Sequence, residues 1–250
     1  MSHYVVQWVQ LSTVEFLLLW DAEGLGERHL VLDVPGLGID PEEGARRRAG
    51  AWGALRDRGL ARRERAADEV AGLLGVLARP RRSVDGRIWL PGRHIRCLAA
   101  ARGEIGALAV WQGESVWLSH IRGSAVAEAA VATAGELSAG PGRSVAVPRG
   151  VLHQAHAEAP GDDQAFIGTL VRGGVRRDDA RVLADMLRTV AVHGQFGVEV
   201  ERRRADRVVA FHGGPAGCYS QHTEREWTTV APAGNRLLVG YLERLLSELD

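Results

Sequence analysis

The sequence predicts an α+β fold in which antiparallel β-meanders, repeated in quasi-two-fold fashion, form a central sheet flanked by helical bundles. Three observations support it. Residues 194–200, 207–212 and 227–230 read as short strands, and in the first of them Phe196, Val198 and Val200 alternate with Gln195, Glu199 and Glu201. That period of two marks a strand with one buried and one wet face. Residues 83–90, 94–101, 105–111 and 115–121 form a second set, separated by Pro91-Gly92, Arg102-Gly103 and Gln112-Gly113-Glu114. Gaps this short make hairpins. Each set is preceded by helical segments and followed by a helix, so a single domain over residues 1–250 is expected, with pseudo-repeat halves of about 1–138 and 139–250.

Taken in order, Ser12-Thr13-Val14-Glu15 is a capping box opening a helix over 13–20, which Gly24 and Gly26 end. Residues 28–34 read as a strand broken by Pro35-Gly36. Asp40-Pro41-Glu42-Glu43 places proline at the first helical position and acids at the positive end of the macrodipole. The helix should run over 41–58 with Ala45, Ala49, Trp52 and Leu55 inward, and a second helix over 62–77 should bury Val70, Leu73, Leu74 and Leu77.

In the first meander, Ala107-Leu108-Ala109-Val110 lacks alternation, as a central strand covered on both faces does. A helix over 125–135 follows, and Ala139-Gly140-Pro141-Gly142 is the candidate boundary between halves. Beyond it come a strand over 143–147, helices over 151–157 and 162–171, and a helix from Asp178 carrying Val182, Leu183, Met186, Leu187 and Val190. The 194–200 strand is expected at a sheet edge, with residues 201–206 as a charged hairpin tip and Gly213-Gly214-Pro215-Ala216-Gly217 as the next reversal. Leu237, Leu238, Tyr241, Leu242, Leu245, Leu246 and Leu249 then repeat at helical spacing. Residues 108–113 also echo 208–213, as a repeat would.

Composition narrows the function. The 250 residues are 46% hydrophobic and 25% charged, an ordinary globular balance. Lys+Arg 31 matches Asp+Glu 31, so no long-range field gathers nucleic acid or an anionic membrane. Every basic residue is arginine, which removes P-loop, Schiff-base and Ser-x-x-Lys chemistry. Cys97 and Cys218 are the only cysteines; two buried thiols in a reducing cytosol is favoured over one distant disulfide. Residues 1–8 lack the pattern of a signal peptide and no apolar run reaches membrane-spanning length, so a cytoplasmic protein is expected.

Candidate chemistry is sparse. His153 and His156, one helical turn apart, can hold a metal, but no acid or cysteine stands at a zincin spacing beside them. His212 beside a glycine turn can act as a general base, and the competing reading is a polar strand end. Gly113-Glu114-Ser115-Val116-Trp117 fails the nucleophile elbow, and Gly24-Leu25-Gly26 and Gly36-Leu37-Gly38 fail the dinucleotide fingerprint. The runs Arg46–Arg48, Arg62–Arg65 and Arg202–Arg204 are interleaved with acids and read as salt-bridged faces rather than phosphate contacts. Trp89, at a hairpin mouth beside Arg93, has the composition of an interface anchor. A binding role is therefore expected, with no cofactor, metal or nucleic acid. An enzyme using His212 or the His153/His156 pair is the alternative.

The run Gly194-Gln195-Phe196-Gly197-Val198, then Arg207-Val208-Val209-Ala210-Phe211-His212, Pro215-Ala216-Gly217-Cys218-Tyr219 and Trp227-Thr228-Thr229-Val230-Ala231-Pro232 resembles the C-terminal signature of the EspG-type ESX (type VII) secretion-associated proteins of actinobacteria. The likeness extends over nearly the whole chain, through Val14-Glu15-Phe16, Leu30-Val31-Leu32, the segment around Trp52-Gly53-Ala54-Leu55, Arg96–Gly103 and Gly140-Pro141-Gly142-Arg143. It implies a quasi-two-fold α+β cytosolic chaperone that caps the hydrophobic tip of a helical PPE-like substrate. Such a chaperone keeps a PE–PPE heterodimer, or a WxG-type protein, soluble until the secretion ATPase takes it, and it can dimerise when its partner is absent. Carried over by position, the partner would meet Trp89, Pro91, Arg93 and His94 in the hairpin, and Arg181, Asp185 and Arg188 on the exposed side of a later helix.

Overall fold

The computed structural model describes residues 8–33 and 41–250. Strand β1 (Val9–Ser12) runs into helix α1 (Thr13–Ala22) through the expected capping box: the Glu15 amide donates to Ser12 Oγ at 3.2 Å and the Ser12 amide donates to the Glu15 carboxylate at 2.7 Å. Residues 28–33 depart from expectation. Leu30–Leu32 is a 3-10 turn, started by the Val31 amide donating to His29 Nδ1, with Val31 and Leu32 buried and Leu30 67% exposed. A short apolar run does not distinguish a strand from a turn that tucks two side chains into a core. Val34, the break at Pro35-Gly36 and the Asp40 cap lie outside the described residues.

Helix α2 (Pro41–Asp57) buries Leu55 and half-buries Trp52, but Ala45 and Ala49 face solvent, contrary to expectation. Alanine marks a buried face poorly, because it is at ease on either side of a helix. The expected helix over 62–77 begins only at Asp68. Strands β2 (Ala61–Arg62) and β3 (Arg65–Ala66) form a small hairpin first, and α3 (Asp68–Ala78) follows with Val70, Leu73, Leu74 and Leu77 buried as expected. The Glu23 carboxylate accepts from the Arg65 guanidinium at 2.8 Å and the Ala66 amide at 2.9 Å, a tertiary anchor that overrides the helix preference of the Arg-Arg-Glu-Arg run.

The remaining elements are β4 (Arg82–Leu90), β5 (Arg93–Arg102), β6 (Ile105–Gln112), β7 (Ser115–Arg122) and α4 (Val126–Ala132), then β8 (Val145–Pro148), α5 (Arg149–Glu158), α6 (Asp163–Arg172) and α7 (Arg177–Leu187). Strands β9 (Val192–Val200), β10 (Arg203–Arg204), β11 (Val209–Gly214), β12 (Gly217–Glu224) and β13 (Trp227–Pro232) lead into α8 (Asn235–Leu249). All but β2 and β3 join one sheet in the order β1-β7-β6-β5-β4-β9-β11-β12-β13-β8, with β10 paired to β9. Outward from the β4–β9 seam the order is the same in both directions: three more meander strands, then an edge strand that precedes a set of helices. This is the quasi-two-fold α+β plan.

Three details correct the sequence reading. The 194–200 strand is not an edge; β9 lies mid-sheet between β4 and β11, since alternation reports a wet face and not a wet edge. The whole of β12 went unread, because beyond Cys218 and Tyr219 it runs Ser-Gln-His-Thr-Glu, although Ser220 is buried. The echo of 108–113 in 208–213 equates β6 with β11, whereas strand order matches β11 to β5, so the echo is accidental.

Three clusters form the interior. One sheet face, with Val84, Ile88, Cys97, Phe196, Val198, Phe211 and Cys218, packs under α4 and α8 across both halves. On the other face, α1, α2 and α3 cover Leu98, Ala100, Ala107 and Ala109, while α5, α6 and α7 cover Val145, Val147, Tyr219 and Val230. Both cysteines are buried and unpaired, and burial pushes their thiols up to about 12 and about 11. The 139–142 boundary segment is stitched to β12: the Cys218 amide donates to Ser138 O at 2.8 Å, and the Gly140 amide donates to Cys218 O at 3.1 Å.

Close approach fixes Gly86. A Cβ there would lie 2.7 Å from Cys97 Sγ and 2.8 Å from the Phe196 ring, which itself stacks on Phe211 at 5.6 Å. Gly86→Ala is expected to cost about 1–3 kcal/mol, because the overpacked atoms are walled in by the sheet. Urea unfolding followed by circular dichroism measures it. An unchanged midpoint would mean that the seam yields readily.

Candidate partner-binding face

Side chains on β4, β9 and β11 that point away from α4 and α8 belong to neither helix-covered cluster on that face. They floor a trough between the α1–α3 and α5–α7 groups. Cross-strand register aligns His94 on β5 with Trp89 on β4, Trp89 with His193 on β9, His193 with His212 on β11, and His212 with Tyr219 on β12. A row of five rings results. Trp89 stacks on His94 at 4.8 Å and on His193 at 5.1 Å, and His212 stacks on Tyr219 at 5.5 Å. Directly opposed side chains on a sheet sit close enough for such pairs to reinforce one another.

The residues expected at the hairpin occupy one end of this row. Pro91 and Gly92 form the two-residue turn, with Gly92 at φ 72°, and Pro91 and Arg93 are exposed. Trp89 is 37% exposed although both its ring faces are occupied, so its edge is what solvent meets. The second expected group lies on α7. Arg188 donates to Asp163 of α6 at 2.8 Å and to Asp185 at 2.7 Å, and Arg181 stands 3.8 Å from Asp178. All are exposed, and each of the two arginines faces its own acids. Arg188 also borders a 130 Å³ cleft with His156, Asp163 and Phe166. Four residues separate Arg188 from His193, a reach of at most about 18 Å, so Arg188 sits at the same end of the trough as the hairpin group.

The candidate histidines occupy different settings, although the charges of His156 and His193 both reach His212. His212 is buried, with Nε2 3.1 Å from Met186 O near the end of α7, and burial, partly offset by that hydrogen bond, holds its imidazole below the ordinary value. His153 is exposed, whereas His156 Nδ1 meets Leu152 O at 3.0 Å and its ring meets Phe166 edge-on. No group of three metal-capable side chains occurs among the described residues.

Sequence inspection missed His193, Arg87 and a part-buried ion pair between Asp85 and Arg204. Asp85 on β4 takes two hydrogen bonds from Arg204 on β10, at 2.6 and 3.1 Å, and His29 Nε2 lies 4.0 Å from the same carboxylate. Gly197 makes room, since a Cβ there would come 2.3 Å from the Arg204 guanidinium. These residues are remote in sequence and carry no motif. Only the β4–β9 register brings them together.

The fold defines a class: a quasi-two-fold α+β scaffold with one large antiparallel sheet flanked by helices. Residues 12–244 match the family model of the EspG family, and the chain belongs to that family. Among solved structures it is similar to the type VII secretion system chaperone EspG5 of Mycobacterium tuberculosis, solved in complex with a PE25–PPE41 dimer. The TM-score is 0.72 and the identity 18%, over 98% of this chain and 97% of that one. Curated protein sequences give no match.

Burial holds the imidazoles of His29, His94, His212 and His222 below their ordinary value of 6.5. The unfolded chain therefore binds more protons than the folded one as pH falls below about 6.5, and folding stability drops through that window. Carboxylates held low by arginine, such as Glu23 and Asp179, add their loss only at still lower pH. Urea midpoints at neutral and mildly acidic pH check this; equal midpoints would contradict it.

Proposed function

We propose that this chain is a non-enzymatic chaperone of type VII secretion that binds a PE–PPE-type helical heterodimer stoichiometrically in the cytoplasm and covers its apolar tip. The observation that carries this is family membership over residues 12–244. Supporting it, EspG5 has the same fold over nearly its full length and was solved holding PE25–PPE41. No described helix is long and apolar enough to cross a membrane.

The partner's surface in this proposal is the end of the trough marked by Trp89, Pro91, Arg93 and His94, together with Arg181, Asp185 and Arg188 on α7. An interface of this kind buries on the order of 800 Å² per partner, and an exposed apolar tip on a helical bundle would aggregate if left uncovered. The two groups lie in different pseudo-repeat halves, about 1–138 and 139–250, which act here as one domain.

Affinity capture with the tagged chain from native cytosol, followed by mass spectrometry, should recover a PE–PPE pair at one-to-one stoichiometry. Trp89→Ala combined with Arg93→Glu is expected to weaken that complex at least tenfold while the chain stays folded, with only the modest drop in unfolding midpoint that loss of the two Trp89 ring stacks brings. Undiminished binding would refute the hairpin assignment.

A further inference from the structure

A cavity of 400 Å³ opens between the β4–β5 and β6–β7 hairpin tips, with Arg93, His94, Arg96 and Trp111 in its wall and Gly92 and Gly113 at its rim. No acidic residue among the described residues lines it. Many arginines elsewhere in the chain face an acid. Arg47, Arg58, Arg65, Arg81, Arg82, Arg188 and Arg204 each hold a carboxylate. Arg87, Arg93 and Arg96 hold none among the described residues.

Two further observations sharpen the imbalance. Arg87 and Arg96 are register partners on β4 and β5, so two guanidinium-bearing residues stand directly opposite on one sheet face, an arrangement that destabilises unless an anion joins it. His94 Nε2 is buried with no hydrogen-bond partner, although its ring is fixed by the stack on Trp89. Burial, followed by the charges of Arg96 and Arg87, holds the His94 imidazole below its ordinary value, which reports the same cationic surroundings. Two acids on neighbouring segments are already committed, since both Asp85 oxygens accept from Arg204 and Asp33 lies 3.7 Å from Arg28, while the exposed Glu114 next to Gly113 is not among the residues that line the cavity.

The receptor is also preorganised. The Arg96 guanidinium lies over the Trp111 ring at 4.2 Å and donates to Asp33 O at 3.4 Å, and Trp111 Nε1 donates to Gly113 O at 2.6 Å. A planar fork held on an aromatic face matches the two oxygens of a carboxylate and loses little freedom on binding it.

We propose that this cavity is a carboxylate receptor that takes an aspartate or glutamate side chain of a bound protein partner, with Arg93 and Arg96 as donors and the His94 ring as part of the wall. The identity of that partner rests on the chaperone reading above; the chemistry of the cavity does not. A polyanion is the less favoured occupant, because the chain's formal net charge is +0.

The probe is acetyl-Ala-Glu-Ala-amide, titrated into the whole protein while the arginine Nε–Hε and histidine ring signals are followed by NMR. The expected result is saturable shifts at Arg93, Arg96 and His94, lost with the glutamine analogue and in Arg96→Gln. Absence of shifts, equal shifts with the glutamine peptide, or stronger shifts with inorganic phosphate would each overturn the proposal. In parallel, Arg96→Gln should weaken the captured PE–PPE pair about tenfold. Peptide binding without any captured pair would refute the chaperone reading and uphold the receptor. A pair held equally by wild type and Arg96→Gln would refute the receptor and leave the chaperone reading standing.

Discussion

Everything in this molecule depends on the antiparallel pairing of β4 with β9. Without it, each meander would end in a strand with a row of open amides and carbonyls, the template for aggregation that sheets must avoid. Eight residue pairs, from Arg82↔Val200 to Trp89↔His193, close both edges against each other. Each face of that seam has a separate use. On one, Gly86 and Gly194 leave room for the stacked Phe196 and Phe211 rings beneath α4 and α8, so a single core spans both halves. On the other, the same register sets Asp85 against Gly197 and admits Arg204, while at the far end it lays Trp89 on His193.

The same contrast between local and distant pairing explains what could be read from sequence. The first meander was legible because its turns are short and carry glycine, at Gly92, Gly103 and Gly113, which makes each hairpin a local event. The seam was not, since Asp85 and Arg204 are 119 residues apart and nothing in either strand names the other. Hence β9 read as an edge. Strand β12 was illegible for a different reason: its polar side chains are carried by hydrogen-bonded neighbours on both sides, β11 and β13, so membership of the sheet does not depend on its own pattern. The β2–β3 hairpin was hidden by one distant carboxylate, Glu23, acting on a helix-prone run.

Of the candidate face, composition revealed the part that is unusual in a turn, namely Trp89, Pro91, Arg93 and His94. It did not reveal His193, Arg87 or Arg96, each an unremarked residue inside a strand. Runs of arginine drew the eye, and part of that reading holds, for Arg47, Arg65 and Arg204 are paired. The arginines without a carboxylate partner at the trough are singletons, and an unbalanced charge is a property of neighbours in space.

The two groups proposed for the partner's surface differ in stiffness, and that difference suits the proposed grip on a protein partner. On the sheet, the ring row is held by ladder hydrogen bonds in five strands, so its geometry is set before any partner arrives. On α7 the side chains are long, exposed and joined by surface ion pairs such as Arg188–Asp163 and Arg188–Asp185, which are individually weak and can exchange partners at small cost. A rigid anchor supplies affinity because little freedom is lost on binding, and an adaptable charged rim supplies discrimination. The shared fold with EspG5 at 18% identity fits that division: the backbone register that builds the anchor can persist while the side chains around it change.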